Sequence, residues 1–224
     1  MKKEYYVKRL SIIAGYLSTL AVICGLILLL PFIVGLIYGE QNIILPLVNA
    51  FVIPGTLSVA AGLAVRKYTR RDMPFLKDAM IICPLAWIMF SLIGAIPYTV
   101  ILDIPYLDGV FETMSGFTTT GITLLTGLDN MPRAILFWRA FTQWIGGLGI
   151  LSMFIFIGFK GGAAVNRLFT SESHKISSSK PHPGIYNTVR TFWLLYIGFT
   201  LIQVILLLIG GLNLFDSMTH TFTT

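Results

Sequence analysis

Charged residues are scarce in this chain of 224 amino acids: Asp, Glu, Lys and Arg together make up 12% of it, and hydrophobic residues 55%. A typical soluble domain carries about 25% charged residues. The scarcity, together with a mean hydropathy of +0.81, excludes an ordinary soluble globular protein. It predicts an all-α integral membrane protein.

Charge is missing altogether from five runs, each long enough to cross a hydrocarbon core about 30 Å thick, for which about 20 helical residues suffice. We therefore predict five transmembrane helices, at Leu10–Gly39, Gln41–Val65, Ala79–Leu102, Ala140–Phe159 and Thr191–Phe215. The turn between the first two is short, so we expect an antiparallel helical hairpin with a scaffold role.

Cysteine and histidine are rare as well, with two and three residues. Cys24 and Cys83 both fall inside predicted spans, which favours small packing residues over a disulfide framework. His174, His182 and His220 are too scattered along the chain for a metal site. The predicted spans also contain no pair of carboxylates, so a proton relay is not expected.

An enzyme is not expected either. The rival class is an intramembrane hydrolase with Ser115 as its nucleophile, and such a site needs a histidine or lysine base within reach inside the membrane. No histidine lies inside a predicted span. The scarcity of catalytic side chains therefore points away from chemistry and towards transport or partner binding.

The net charge of +6 is distributed very unevenly along the chain. If five helices alternate, one side of the membrane carries all but Arg133 and Arg139 of the 16 basic residues. The positive-inside rule then places the N-terminus and the basic loops in the cytoplasm of a cell (inner or plasma) membrane protein. The basic residues are better explained as topology anchors than as a nucleic-acid site, and the segment Met114–Thr123 opens outward.

That segment, Met114-Ser-Gly-Phe-Thr-Thr-Thr-Gly-Ile-Thr123, is a hydroxyl-rich loop between two predicted spans. A helix from Asp108 to about Gly116 precedes it and is too short to span; we expect Asp108 to cap this helix, with Glu112 near its amino end. Polar, non-helical backbone at membrane depth is tolerated where it is buried in protein or lines a watery cavity. The third span, short helix, loop and fourth span then form one re-entrant unit.

Backbone carbonyls of such a loop can replace the hydration shell of a monovalent cation. Gly121 can adopt the positive φ that turns consecutive carbonyls towards one axis, and the carboxyl end of the short helix favours a cation. Divalent sites recruit carboxylates, which the loop lacks. The predicted K⁺ ligands are Thr118, Thr119, Thr120, Gly121 and Ile122. The alternative is a surface helix that ends at Gly121 as its C-cap.

A second copy of the pattern supports the filter interpretation. Phe111-Glu-Thr-Met-Ser115 with its threonine cluster is echoed about a hundred residues later by Phe215-Asp-Ser-Met-Thr219, followed by Phe222-Thr-Thr224. Both copies come shortly after a hydrophobic span. We therefore expect Thr223 and Thr224 to approach a second filter segment.

The chain divides into four predicted parts: the N-terminal hairpin (1–72), a first helix–loop–helix repeat with the filter (73–160), a cytoplasmic linker (161–190) and the start of a second repeat (191–224). The linker is rich in Ser, Lys and Gly and is expected to be mostly irregular, with a short helix near Ala163–Thr170. In the fourth span, Trp144-Ile-Gly-Gly-Leu-Gly149 predicts close approach to a neighbouring helix.

The segments Phe111–Thr123, Phe137–Ile150 and His182–Tyr196 together resemble the Trk/Ktr/HKT superfamily of potassium and sodium uptake proteins, most closely its bacterial TrkH/KtrB pore-forming subunits. The resemblance implies four helix–pore-helix–helix repeats around one pore, preceded by an extra helix pair. It makes Gly121 the selectivity position of the first filter and K⁺ the transported ion, with Na⁺ as a candidate coupling ion.

The same resemblance implies a homodimer in the lipid bilayer that binds cytosolic nucleotide-binding regulatory subunits, with the basic segment Lys160–Arg190 as the candidate contact. A pore of this kind needs four filter segments, and this sequence supplies one and the approach to another. We therefore expect the front portion of a longer protein. The alternative is a truncated or partner-binding membrane subunit of the same family that conducts nothing.

Overall fold

The structure is a computed structural model, and it describes residues 2–69, 72, 74, 76–160 and 185–224. Every regular element in this part of the chain is helical. Eight helices are numbered in chain order: α1 Lys2–Ile37, α2 Gln41–Lys67, α3 Leu76–Gly94, α4 Ile96–Leu102, α5 Tyr106–Phe117, α6 Arg133–Lys160, α7 Ile185–Ile209 and α8 Leu214–Thr223. A short 3₁₀ turn, Leu128–Asn130, precedes α6.

Four helical stretches among the described residues are long and apolar enough to cross a membrane: Tyr6–Ile37, Gln41–Lys67, Lys77–Leu102 and Val189–Ile209. They coincide with four of the five predicted spans. The remaining one, Ala140–Phe159, lies inside the 28-residue helix α6. The side chains of residues 150–160 are outside the described part of the chain, so the count of five spans stays a prediction.

Helices α1 and α2 form the predicted antiparallel hairpin, and small residues bring their backbones together. A Cβ placed on Gly25 would lie 2.4 Å from the carbonyl oxygen of Gly55, and one on Gly62 would lie 2.6 Å from that of Ser18. The residues of α1 in contact come earlier in the chain as those of α2 come later, as antiparallel packing requires. Without a hydrophobic force between helices in lipid, such close packing is what holds a helix pair together.

Helix α2 is less regular than its hydrophobic run suggests. It starts as a 3₁₀ turn, continues through Ile44–Leu47, widens to a π-helix at Val48–Val52 and returns to α-helix at Ile53–Lys67. The widened turn precedes Pro54, which lacks the N–H of a regular turn. The fully buried ring of Phe51 lies in this turn and forms a T-shaped contact with Trp138 on α6, with 6.4 Å between ring centroids.

Ion pairs join the start of α1 to the start of α3, at the end of the bundle predicted to be cytoplasmic. The guanidinium of Arg9 donates to one carboxylate oxygen of Asp78 through Nε at 2.8 Å and through an Nη at 2.5 Å. Asp78 is fully buried. Nearby, Lys8 and Asp72 form a half-exposed pair at 3.2 Å. Arg9, a basic residue expected only to anchor the topology, therefore also binds α3, and Lys8 binds the segment just before it.

The chain divides into two compact units, Met1–Gly146 with Phe222–Thr224, and Gly147–Thr221. The loop Thr118–Thr123 and all its contacts described below belong to the first unit. Helix α7 begins at Ile185, six residues before the predicted start of that span. The expected irregular linker at 161–184 and its short helix at Ala163–Thr170 lie outside the described residues. The four-part division of the chain stays a prediction.

Candidate functional site

Helix α5 positions the loop and is itself too short to cross a membrane. Its 12 residues rise about 18 Å, against a hydrocarbon core of about 30 Å. The predicted cap at Asp108 is wrong: the N-cap is Pro105, and Asp108 lies inside the first turn, with its N–H donating to the Pro105 carbonyl at 3.0 Å. The helix starts earlier than expected because Pro105, whose ring fixes φ and which has no N–H to satisfy, suits the position just before the first helical residue. Asp108 still faces the positive end of the helix dipole.

Small residues on one face of α5 let neighbouring helices pack against it. A Cβ on Gly109 would lie 2.9 Å from the Ala95 carbonyl oxygen, and one on Gly116 would lie 2.3 Å from Thr142 Oγ1. Gly146 on α6 meets the end of α5 as closely, since its Cβ would lie 2.3 Å from the carbonyl oxygen of Phe117. The close approach predicted from Trp144–Gly149 is confirmed at Gly146.

An aromatic cluster fixes the carboxyl end of α5. Phe117 is buried, and its ring lies 5.3 Å from Phe90, 5.9 Å from Trp87 and 6.2 Å from Trp138, between centroids. The indole N–H of Trp138 in turn donates to the Gly94 carbonyl at 3.0 Å. Helix α5 therefore ends at a rigid point inside the bundle.

The chain leaves α5 through a tight turn. The N–H of Thr120 donates to Ser115 O at 2.9 Å, and that of Thr119 donates to Gly116 O at 2.9 Å. Gly121 has a φ of +75°, which confirms the predicted positive φ there. Thr119 also has a positive φ, of +56°, which the sequence analysis missed. A β-branched residue in this region is a strained outlier, and such strain concentrates at functional sites.

The carbonyl oxygens of Thr118–Gly121 accept no hydrogen bond from any residue that the structure describes. The next one differs, because the hydroxyl of Ser115 donates to Ile122 O at 2.6 Å. Residues 119–122 are exposed. The loop thus presents four consecutive carbonyls without a partner among the described residues, followed by one tied to α5.

Threonine hydroxyls at the start of the loop bond within the protein. Thr118 Oγ1 donates to Met114 O at 2.8 Å and lies 2.9 Å from Thr120 Oγ1. The hydroxyl of Thr118 therefore bonds back to α5 and to its neighbour in the loop.

Glu112 supports the loop from behind, a role that the sequence analysis did not assign to it. Its side chain is buried, and the hydroxyl of Thr123 donates to both carboxylate oxygens, at 2.9 and 3.0 Å. The N–H of Leu124 donates to Oε1 at 2.5 Å. The guanidinium of Arg139 on α6 lies 3.9 Å from Oε2.

A signal for this role was present in the sequence. Gly109, Glu112, Thr113 and Gly116 recur at helical spacing and form one buried face of α5. Small residues around an acid on one helix face indicate that the acid lies inside the packing, where it needs partners. The nearness of Glu112 to the amino end of the helix, which the sequence also shows, does not indicate this role.

The second predicted segment lies at the end of α8. Thr223 is the last residue of this helix and Thr224 follows it. Asn213 caps the helix by accepting the N–H of Asp216 at 2.9 Å. Phe222 packs on aromatic rings of α6, at 5.3 Å from Trp144, 5.9 Å from Phe141 and 6.1 Å from Phe137. The two threonines therefore lie at the carboxyl end of a short helix, Thr223 as its last residue and Thr224 just beyond it.

Among the residues the structure describes, no three His, Cys, Asp or Glu side chains are grouped to hold a metal ion. Backbone carbonyl oxygens, such as those exposed at Thr118–Gly121, can replace the hydration shell of a monovalent cation.

Comparison with known proteins agrees with a transport role. The family model TrkH, described as a cation transport protein, matches residues 47–216. The chain therefore belongs to the TrkH family of cation transport proteins. This membership confirms the expected family and the expectation of a membrane transport protein rather than an enzyme.

Individual relatives come from archaea and bacteria. An uncharacterized cation transporter of Methanocaldococcus jannaschii is 37% identical over 174 residues, which are 77% of this chain and 36% of the relative. The Trk system potassium uptake protein TrkH of Salmonella typhimurium is 34% identical over 182 residues, 79% of this chain and 38% of the relative. The chain thus spans well under half the length of these curated relatives.

A solved structure shares the fold. The crystal structure of the potassium transporter TrkH from Vibrio parahaemolyticus matches with a TM-score of 0.76 and 28% sequence identity. The match covers 95% of this chain and 42% of that one. The predicted all-helical membrane fold is confirmed at this level.

Proposed function

We propose that Thr118–Ile122 is one filter segment of a protein that takes up potassium passively, through a pore lined by backbone carbonyls. The observation that carries this proposal is the row of unpartnered carbonyls at Thr118–Gly121, held in shape by positive φ angles at Thr119 and Gly121. Four carbonyl groups without internal partners are expensive at membrane depth unless an ion or water meets them. An ion that sheds its hydration shell needs such oxygens.

The electrostatics of the segment favour a cation. Helix α5 ends at Phe117, one residue before the loop, so the negative end of its dipole lies beside the carbonyls. The exposed part of the loop contains no carboxylate, and divalent ions usually require one. The curated relatives named as potassium uptake proteins support potassium as the ion. Nothing in the described residues or the comparisons supports sodium as a coupling ion.

Helix α5 acts in this proposal as a re-entrant pore helix between the spans formed by α3–α4 and α6. The second copy, α8 with Thr223 and Thr224, is the approach to a further filter segment. The distribution of basic residues supports a cytoplasmic N-terminus in the inner or plasma membrane. Dimerisation, and binding of nucleotide-binding regulatory subunits by the basic linker Lys160–Arg190, are proposals that rest on the family resemblance.

The filter assignment is tested with Gly121→Ser in the native full-length protein, expressed in a bacterial host that lacks its own potassium uptake. A side chain at φ +75° is strained, and a Cβ there would lie 3.0 Å from the amide nitrogen of Gln143. We expect a loss of discrimination between K⁺ and Na⁺, measured as growth on low potassium and as inhibition of Rb⁺ uptake by Na⁺.

The matched control is Gly127→Ser. Gly127 also has a positive φ, of +68°, but nothing lies within 4 Å of its Cβ position and it is outside the filter segment. It should leave ion discrimination unchanged. If Gly121→Ser discriminates between the two ions as well as the unsubstituted protein does, the filter assignment is wrong.

The second candidate function is a partner-binding membrane subunit that does not conduct. The observation in its favour is that the chain matches 36% and 38% of the lengths of two curated relatives. Reconstitution of the 224-residue chain in liposomes loaded with K⁺ separates the two candidates. Flux of Rb⁺ into the liposomes would exclude the non-conducting subunit.

A further inference from the structure

We propose that Glu112 is a positioning residue for ion selectivity, which sets the spacing of the filter carbonyls by holding the chain directly after them. The inference rests on the proposed filter function and adds a residue that does not touch the ion. Its basis is the set of contacts behind the loop, where one buried carboxylate meets three donors from two different elements.

The contacts of Glu112 with Thr123 and Leu124, called the tether below, are short and leave the carboxylate little freedom. Glu112 is 3% exposed, and its carboxylate accepts the Thr123 hydroxyl and the Leu124 N–H. The Thr123 hydroxyl oxygen also accepts the N–H of Leu125, at 3.1 Å. One side chain of α5 therefore fixes three consecutive residues of the returning chain.

The filter segment is consequently held at both of its ends by α5. At its start, backbone N–H groups of the loop bond to carbonyls of the last turn, and at Ile122 the carbonyl accepts the hydroxyl of Ser115. Glu112 holds the next two residues, one helical turn before Ser115. Ion ligands must be held to within about 0.5 Å by surrounding contacts, and between these anchors the carbonyls of Thr118–Gly121 have no other partner among the described residues.

The charge of Glu112 is also accounted for. All its contacts are with donors, which suits an ionised carboxylate, an acceptor only. Arg139 supplies the opposite charge, with Nε 3.9 Å from Oε2. An unpaired buried charge is strongly destabilising, while hydrogen bonds to a charged group are about twice as strong as neutral ones. The pair thus allows a strong tether inside the protein.

The test compares Glu112→Gln with Asp108→Asn in the full-length protein, with inhibition of Rb⁺ uptake by Na⁺ as the readout. Glutamine removes the negative charge that faces Arg139 and replaces one acceptor oxygen with an NH₂ group, so at least one of the contacts with Thr123, Leu124 or Arg139 is lost. We expect the K⁺ over Na⁺ discrimination to fall about tenfold, the equivalent of one charge-assisted hydrogen bond.

Asp108→Asn makes the same chemical change one turn earlier on α5, at a carboxylate that contacts no loop residue that the structure describes. It should leave the discrimination within about twofold of its original value. The amount of each variant in the membrane is measured in parallel, so that a fall in uptake from poor insertion is not counted as a change in selectivity.

A second pair of variants keeps the proposal testable if Glu112→Gln does not insert. Thr123→Val removes the hydroxyl that bonds to Glu112 and retains the shape, and Thr123→Ser retains the hydroxyl. We expect the valine variant to lose discrimination and the serine variant to keep it. A purely structural role would lower abundance in both Glu112→Gln and Thr123→Val without changing the ratio of K⁺ to Na⁺.

The outcome at Gly121 separates this inference from the proposed function. If Gly121→Ser changes the discrimination while Glu112→Gln and Thr123→Val do not, the positioning role is overturned and the filter stands. If Gly121→Ser has no effect either, the filter assignment fails and the role of Glu112 fails with it.

Discussion

The carboxylate of Glu40 caps helix α6, since it accepts the backbone N–H of Arg133 and, at 3.3 Å, that of Ala134. Glu40 lies in the turn between α1 and α2, so the hairpin supplies a cap to a helix that begins more than ninety residues later. Arg133 also stacks over the ring of Tyr38, 4.5 Å from its centroid. The hairpin therefore does more than provide an apolar scaffold, because it holds the helix that packs against α5 and the loop after it.

Replacement of Glu40 by alanine should lower the thermal stability of the protein in detergent. It leaves two N–H groups of α6 without their acceptor and removes a negative charge from the positive end of the helix dipole. The expected cost is about 1 kcal/mol. Gln41→Ala, at the next position of the same turn, is the control and should unfold at the original temperature. Equal unfolding temperatures for both variants would contradict the capping role.

Replacement of Asp78 by asparagine should destabilise the protein by about 3–5 kcal/mol, because it leaves the guanidinium of Arg9 without its buried partner. Asp72→Asn removes the half-exposed partner of Lys8 and should cost less than about 1 kcal/mol. Thermal unfolding in detergent measures both. The double variant Arg9→Leu with Asp78→Leu should recover part of the loss, and a further loss there would contradict the assignment.

Thr119→Gly should raise the thermal stability of the protein by about 1 kcal/mol, since glycine adopts a φ of +56° without strain. Thr126→Gly, in the same connection but at a residue without a positive φ, should lower it by a few tenths to 1 kcal/mol through the entropy of the unfolded chain. If both substitutions lower the unfolding temperature equally, Thr119 is not strained.

The same glycine-to-alanine change should lower the stability of the protein at one helical position and raise it at another. Gly146→Ala places a methyl group 2.3 Å from the carbonyl oxygen of Phe117 and must displace α5 or α6; we expect a cost of about 2 kcal/mol or more. At Gly198 nothing lies within 4 Å of the Cβ position, so alanine should stabilise α7 by about 0.5–1 kcal/mol. Unfolding temperatures that move in the same direction would contradict the close contact.

Several features of the site follow from local sequence. A glycine after three threonines predicts a positive φ at Gly121, and the angle is +75°. The short polar run before it predicts a helix of less than membrane length, and α5 has 12 residues. Both depend on neighbours in the chain. The capping role of Asp108 was wrong because it depended on which residue begins the helix, and Pro105 sets that boundary.

The residues missed in the sequence act through distant partners. Glu40 bonds to a helix 93 residues away, and Glu112 bonds to a loop 11 and 12 residues ahead and pairs with Arg139 on α6. The spacing of small residues on α5 indicates that Glu112 lies in the packed face, but nothing in the sequence indicates which donors it meets or that Glu40 bonds to α6. Thr119 was missed for a similar reason, since its left-handed conformation is imposed by the bonds around it and opposes its own preference.

The sequence by itself determined the membrane class, four of the helical spans and the position of the short helix with the loop Thr118–Thr123 after it. The length of a hydrophobic run and the preference of glycine for positive φ are local properties of the chain, so they do not depend on tertiary contacts. Only the tertiary structure decided which groups hold the loop in shape. Glu112, which is buried, and Glu40, which is partly exposed, each accept backbone N–H groups. These donors come from segments that only the folded chain brings within hydrogen-bond distance of the two carboxylates.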